Sequence, residues 1–347
     1  MTSFVAARRD TLSGWTDFDF TQSAGPQELA SEQARSTAAL HRRLDAADLA
    51  EIARRGQDDQ TLIDHPDDSG APVPTRLVDA WSAISGVDRQ RWDLMLGVFL
   101  DVPGVVTKTG LTADSPPENV HAMSHSVLAT GGSYYHADLV ADALGSIGAE
   151  PAAGQRGLDF GCSSGRVVRV LKAAYPDTEW FGCDPNAEAI EWAAANVDGV
   201  SFEVSPQEPP LPYPDEHLDF AFAISIWSHY SERFARKWYD EMYRVLKPGA
   251  HLVVTTHGLQ SVAHYAANGM RSAGQLTSIA KSLYSDGYWY AAEFGTHGDW
   301  GVVNEDWGTA FVSAEWMLDA LAPRWEIVEF ARGRNEQNQD VFVLRKR

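Results

Sequence analysis

The stretch RGLDFGCSSGRVVRVL, residues 156 to 171, constrains this chain more than any other. Its first part suits a buried strand ending at Asp159, and its last part is apolar at helical spacing. Between them Gly161, Cys162, Ser163, Ser164 and Gly165 make a glycine-rich turn. Glycine lets a backbone turn tightly and approach a ligand, while the N–H groups at a helix start favour an anionic or carboxylate group. The order strand, glycine turn, helix predicts a nucleotide-like ligand at the carboxyl end of a parallel sheet. A turn of this kind is also compatible with a purely structural role, so a second element has to decide.

That element is WFGCDPNAEAIEWA, which puts Asp184 at the tip of the next strand, 23 residues beyond Gly161. A carboxylate there is placed to accept hydrogen bonds from both hydroxyls of a ribose; the competing role is to cap the following helix. A nicotinamide dehydrogenase would call for G-x-G-x-x-G, a spacing absent from DFGCSSGR.

From about residue 130, short strands alternate with helices, which predicts an α/β, doubly wound, mainly parallel sheet. Strands are expected near 156–160, 178–183, 200–204, 217–226 and 249–256, with a helix from about Ser231 to Leu246 stopped by Lys247, Pro248 and Gly249. WEIVEFARG and QDVFVLR are joined by a polar turn too short for a crossover helix, so they must pair antiparallel. Residues 1–129 read as a helical N-terminal region with an acidic linker. Helix is expected over 27–55, stopping at Gly56, and over 76–100 with an interruption at Ser85 and Gly86. The segment between them, DDQTLIDHPDDSGAPVP, has three prolines and no period and reads as a connector.

The second half resembles the class I S-adenosylmethionine-dependent methyltransferases. The likeness rests on DFGCSSGR, GCDP, PPLPYPDEHLDFAFAISIWSHYS, EMYRVLKPGAHLVVTTHG and the closing hairpin, and covers roughly residues 130 to 345. It implies a Rossmann-like fold and S-adenosyl-L-methionine as cofactor. It further implies that Gly161, Cys162 and Gly165 line the cofactor's methionine end, with Asp159 positioning that loop. Asp184 would hold the ribose beside Pro185, Ser205, Pro206 and Gln207 would stand near the adenine edge, and Ile224 and Ser225 beside the reacting sulfonium. Ser205 and Pro206 depart from the acid or Asn followed by Ala of many relatives. Tyr134 and Tyr135 fall where relatives often close over the cofactor from the N-terminal side.

Composition narrows the function. Hydrophobic residues at 44% and charged residues at 22% fit a folded globular chain. The 28 basic against 48 acidic residues give −20, an excess shared by both halves, which argues against nucleic acid or an anionic membrane surface as the main partner. No apolar run approaches the roughly 18 to 20 residues of a membrane span, and the N-terminus lacks a signal peptide's apolar stretch, so a cytoplasmic address is expected. Cys162 and Cys183 are too few for a disulfide framework and read as buried thiols.

Methyl transfer from a sulfonium is an in-line displacement that asks the protein to align a nucleophile, exclude water and, for a protic acceptor, remove a proton. His229, in SIWSHYS just beyond the fourth strand, is the candidate base, since histidine titrates near working pH. The stretch AISIWSH lacks the Asn-Pro-Pro-Tyr-like motif of adenine and amide-nitrogen methylation. His121 and His125, spaced i and i+4, together with Asp138 have the makings of a metal set but read as packing, and no metal is expected. An insertion at about 258–312 reads as an aromatic lid, its residues 284–311 holding eight aromatics and five glycines. From it come the candidate acceptor-pocket residues Trp289, Trp300 and Trp307, with His257, Asp299 and Glu305 as polar contacts. An aromatic, acidic pocket suits a small-molecule or saccharide acceptor. Protein methylation and a non-catalytic cofactor-binding regulatory role stay open on the residues alone.

Overall fold

The computed structural model describes residues 33–66, 72–118, 120, 129–294, 298 and 303–347. Among these the N-terminal elements are α1 (Arg35–His41), α2 (Ala46–Asp58), β1 (Leu62–Pro66), β2 (Pro72–Arg76), α3 (Leu77–Ala83), α4 (Gly86–Phe99) and α5 (Pro103–Thr109). Then follow α6 (Ala129–Ser146), β3 (Arg156–Phe160), α7 (Val168–Ala174), β4 (Glu179–Asp184), α8 (Ala187–Asn196), β5 (Val200–Val204), β6 (Leu218–Ala223), α9 (Glu232–Val245) and β7 (Leu246–Thr256). The chain closes with α10 (Leu259–Ala267), α11 (Ala273–Ser285), β8 (Tyr288–Ala291), β9 (Thr309–Val312), α12 (Ala314–Leu321), β10 (Trp325–Asn335) and β11 (Gln339–Lys346).

Seven strands form one sheet in the order β10-β11-β7-β6-β3-β4-β5. The pairs from β7 to β5 are parallel, while β11 runs antiparallel to both β7 and β10. This is the expected mainly parallel, doubly wound sheet with its closing hairpin. The period-two alternation of the strands divides the core cleanly. Leu158, Phe160, Ala221, Leu252, Val254 and Phe342 pack with α9, α12 and the aromatic insertion. Phe220, Phe222, Val253, Val341 and Val343 face the other way, into a cluster with Leu40, Ile52, Trp81, Leu94 and Met95 of the N-terminal helices. Those helices therefore cover one face of the sheet.

Polar groups fix that cover. Asp138 of α6, fully buried, accepts from Ser36 Oγ and from Thr37 N and Oγ1 of α1, and pairs with Arg91 of α4 at 2.9 Å. These contacts define Asp138 as a structural anchor; His121 and His125 lie outside the described residues.

Three local expectations need correction. The helix over 27–55 is broken at Arg42–Asp45, and its second piece runs past Gly56 to Asp58. Asp45 starts a new helix there by accepting from Ala47 N at 2.8 Å, while Asp48 accepts in turn from Asp45 N, a reciprocal cap strong enough to end one helix and begin another. The connector carries an antiparallel hairpin, β1 with β2, whose prolines sit on strands free of any further neighbour in the sheet. Finally, α9 ends at Val245, and Lys247 to Gly249 already belong to β7. No helix among the described residues is long and apolar enough to cross a membrane.

Candidate cofactor and acceptor site

A cavity of about 360 Å³ opens at the carboxyl ends of β3, β4 and β6, where a parallel sheet presents its ligand crevice. The glycine turn forms one wall. Gly161 N and Cys162 N both donate to Cys183 O, at 2.9 and 3.1 Å, so the end of β3 is drawn against β4. Gly161 has φ of 79°, and a Cβ there would lie 2.2 Å from Ile226 Cδ1. A side chain there would be strained by that backbone conformation and would displace Ile226, so glycine leaves the loop backbone facing the cavity.

Asp184 ends β4 on the next wall. One of its carboxylate oxygens accepts from Ser163 N at 2.9 Å and the other from Asn186 N at 2.8 Å. The side chain capping α8 is that of Asn186, which accepts from Ala189 N, so capping does not consume Asp184. Each oxygen takes one backbone donor and retains acceptor capacity. Burial raises its pKa and the two backbone donors pull it back. Asp159, behind the glycine turn, is also buried, and its Oδ2 has no hydrogen-bond partner. Burial, aided by the charge of Asp184, pushes its pKa up to about 8.

The opposite wall is aromatic. His229, after β6, stacks on Trp307 with ring centroids 4.6 Å apart, and Tyr230, Phe234 and Trp238 complete the surface. His229 Nδ1 lies 2.8 Å from Gly308 O. A carbonyl can only accept, so in the neutral ring Nδ1 carries the proton and Nε2 is the basic nitrogen. Backbone bonds hold this wall together: Gly308 N donates to His229 O and Ala310 N to Ser228 O. Ser225, at the end of β6, is held in the left-handed region at φ 61° while its N–H donates to Thr255 Oγ1 and its hydroxyl to Gln339 Oε1. Backbone strain in a residue other than glycine, placed on a ligand cavity, is characteristic of functional sites.

The cavity thus brings together Asp159, Gly161, Cys162, Asp184, Pro185, Ser205, Pro206, Gln207, Ile224, Ser225, His229 and Trp307. Other expected residues stand elsewhere. Gly165 turns the loop behind the wall, where a Cβ would be 2.7 Å from Phe202. Tyr134 is buried among the N-terminal helices, with its pKa raised by that burial. Tyr135 acts one step removed: its hydroxyl donates to Arg334 O and accepts from Glu336 N, fixing the β10–β11 turn. Trp289 packs edge-on against Phe311 in a satellite cluster. His257 is buried behind Gln339, donating Nδ1–H to Ala310 O, and burial lowers its pKa to about 3. Glu305 is exposed and pairs with Arg233. Trp300 and Asp299 lie outside the described residues.

Sequence reasoning missed His136, Arg166, Ile226, Asn335, Glu336, Asn338 and Gln339 on the cavity wall. Four of these come from one polar turn, GRNEQNQ, whose only sequence signal was its polarity. Both cysteines are buried thiols whose pKa burial raises well above the ordinary value.

A Rossmann-like sheet with a glycine turn, a strand-end acid and an adjoining aromatic pocket defines a nucleotide-cofactor enzyme. Comparison with known proteins says which kind. Residues 158–249 match the family model described as methyltransferase domain. Over 195 residues the chain is 29% identical to trans-aconitate 2-methyltransferase of Methylobacterium nodulans, covering 52% of this chain and 68% of that one. A malonyl-[acyl-carrier protein] O-methyltransferase of Hahella chejuensis is 30% identical over 101 residues, 28% of this chain and 35% of its own. Among solved structures, a Pyrococcus horikoshii protein aligns with 62% of this chain and 92% of its own at 14% identity and a TM-score of 0.42. Residues 158–249 therefore form a methyltransferase domain, and the sheet that carries it has the Rossmann-like architecture of S-adenosylmethionine-dependent methyltransferases.

The residues present fit that cofactor. The turn at Gly161 is a cradle that a Cβ would fill, Asp184 keeps acceptor capacity for hydroxyls, and Asp159 Oδ2 is a buried acceptor without a donor.

Proposed function

We propose that this methyltransferase acts on a small-molecule acceptor, saccharides included, bound between the glycine turn and the aromatic wall. The observation that carries the reading is the stacked pair His229–Trp307 facing the same cavity as Ser225 at the end of β6. A cavity of about 360 Å³ suits a cofactor with a compact acceptor. The similar proteins named above are called methyltransferases of trans-aconitate and of malonyl-acyl-carrier protein, which supports an acceptor of low mass or one presented as a small group. The described helices between Arg35 and Thr109 serve in this reading as a cover for the catalytic domain.

Bound S-adenosylmethionine supplies a methyl group already activated on a sulfonium. The chain's residues do the rest. Gly161 and Cys162 hold the methionine end, Asp184 the ribose, Ser205 to Gln207 the adenine edge, and Ile224 and Ser225 border the transfer point. The tautomer set by Gly308 O aims the basic Nε2 of His229 to take a proton from a hydroxyl or similar group, while stacking on Trp307 fixes the ring plane. Aromatic side chains on that wall exclude water from the reacting atoms.

Incubating the purified protein with methyl-labelled cofactor and separate low-mass and protein fractions of a cell extract tests this. Label is expected in the low-mass fraction; label confined to protein would overturn the acceptor class.

A further inference from the structure

Gln339 opens β11 on the cavity wall, only 5% exposed, and both ends of its carboxamide are engaged. Its Oε1 accepts from Ser225 Oγ at 2.9 Å, from Thr255 Oγ1 at 2.7 Å and from Asn335 Nδ2 at 3.0 Å. Its Nε2 meets Nε2 of His257 at 3.3 Å. The way this amide faces is set on the far side of His257. Nδ1 of that ring lies 3.1 Å from Ala310 O, a carbonyl that can only accept, so the neutral ring carries its proton there and its Nε2 accepts. Gln339 therefore has to present its NH2 group to His257, which turns its oxygen toward Ser225.

Ser225, at φ 61°, stands in the left-handed region, where a residue with a side chain persists only if its surroundings hold it. Its hydroxyl donates to Gln339 Oε1. Its N–H donates to Thr255 Oγ1 at 2.7 Å, and that hydroxyl gives its own hydrogen to the same Oε1. Both holds end on one atom. From Ser225 the chain turns back on itself: Ser225 O accepts from Ser228 Oγ at 2.8 Å, and His229 N donates to Ile226 O at 3.0 Å. The side chain of Ile226 stands against Gly161, and His229 faces the cavity with it. Whatever fixes Ser225 thereby fixes the origin of both.

We infer that Gln339 is a positioning residue for methyl transfer: its carboxamide oxygen holds Ser225 in the left-handed conformation from which the following turn presents Ile226 and His229 to the reacting groups. This rests on the reading of the cavity as the cofactor and acceptor site. Gln339 comes from the closing hairpin, far in sequence from the turn it controls, and acts through Ser225.

Two readouts test this. One is the φ of Ser225 in crystal structures with S-adenosylhomocysteine bound; the other is the initial rate of label transfer from methyl-labelled S-adenosylmethionine to the low-mass fraction of a cell extract. Gln339→Met keeps the length of the side chain and removes the oxygen. It should release Ser225 from the left-handed region and lower the rate about ten- to a hundredfold, the cost of a misplacement on the order of 1 Å. S-adenosylhomocysteine affinity by calorimetry should stay close to wild type. Gln339→Glu puts an oxygen back at the same place, so Ser225 should remain left-handed and most of the rate should return. A general structural role would lower rate and cofactor affinity together and make the two substitutions alike, which overturns the inference. A normal rate in Gln339→Met overturns it as well, and so does a lowered rate with Ser225 unmoved, since Gln339 would then act on the ligand directly. Should Gln339→Met fail to fold, Thr255→Val removes one of the two holds at constant volume, and an unmoved Ser225 with an unchanged rate overturns the inference equally. Absence of label transfer by wild type counts against the acceptor reading, while the φ of Ser225 in the variants still decides whether Gln339 positions it.

Discussion

The two ends of the cavity are built by different rules. At the proposed cofactor end, Gly161, Cys162, Ser163 and Asp184 come from two consecutive strand–turn–helix units, and backbone bonds between β3 and β4 set the geometry. At the proposed acceptor end, His229, Trp307 and Gln339 come from three segments far apart in the chain, joined by a stacking contact, a cross-loop bridge and a buried side-chain network. A local scaffold serves a ligand common to a whole class, whereas an assembled wall can vary with the acceptor without disturbing the sheet. Changes at the two ends should therefore separate binding from turnover.

The largest separation is expected at His229. His229→Ala should lower turnover by about a hundred- to ten-thousandfold, the span of a positioned general base, with S-adenosylhomocysteine affinity nearly intact. Near-normal turnover in the folded variant would remove the base role and leave alignment alone. Trp307→Leu should act in the same direction but more weakly, about ten- to a hundredfold in turnover, because it frees the His229 ring without removing it. A parallel loss of cofactor affinity would show that the two ends are not independent.

The pH dependence of binding probes the cofactor end. Asp159 has its pKa raised to about 8, against about 3.9 in an unfolded chain, so the folded, ligand-free protein holds a proton that the unfolded chain has released. Stability from this group is therefore present at low pH and is lost as pH rises from about 4 through 8. A cationic ligand favours the ionised carboxylate, so cofactor affinity should rise between pH 6.5 and 8, by at most about tenfold per unit for one proton. In Asp159→Asn the slope should vanish; a slope that persists assigns the proton to another group. The smallest functional effect belongs to Trp289→Ala, which should lose about 2 kcal/mol of stability by thermal unfolding while kinetics stay unchanged, below the roughly 3 to 5 kcal/mol of a fully buried Trp because Trp289 is only half-buried against the satellite cluster.

The same contrast explains what was legible in the sequence. The sheet, the glycine turn and Asp184 were readable because strand period, glycine and strand-end acid are local signals. His229 and Trp307 were singled out one at a time, but nothing in the chain announced that their rings stack. Trp289 of the same insertion misled for the same reason: it has the composition of a pocket residue and packs in a satellite core cluster. Asn335 to Gln339 reach the cavity because the antiparallel hairpin returns its turn to the ligand side of the sheet, a tertiary fact that a polar tract does not reveal. The break between α1 and α2 was hidden because the Asp45 cap interrupts an apolar spacing that continues on both sides.

Calorimetric titration of S-adenosylhomocysteine into wild type and Asp184→Ala tests the cofactor site most directly. Removing a carboxylate that accepts from ribose hydroxyls should weaken binding about ten- to a hundredfold per bond lost, at about 1.5 to 3 kcal/mol each. Equal affinity in the two proteins, with the variant folded, would contradict the placement of the cofactor at the glycine turn and Asp184.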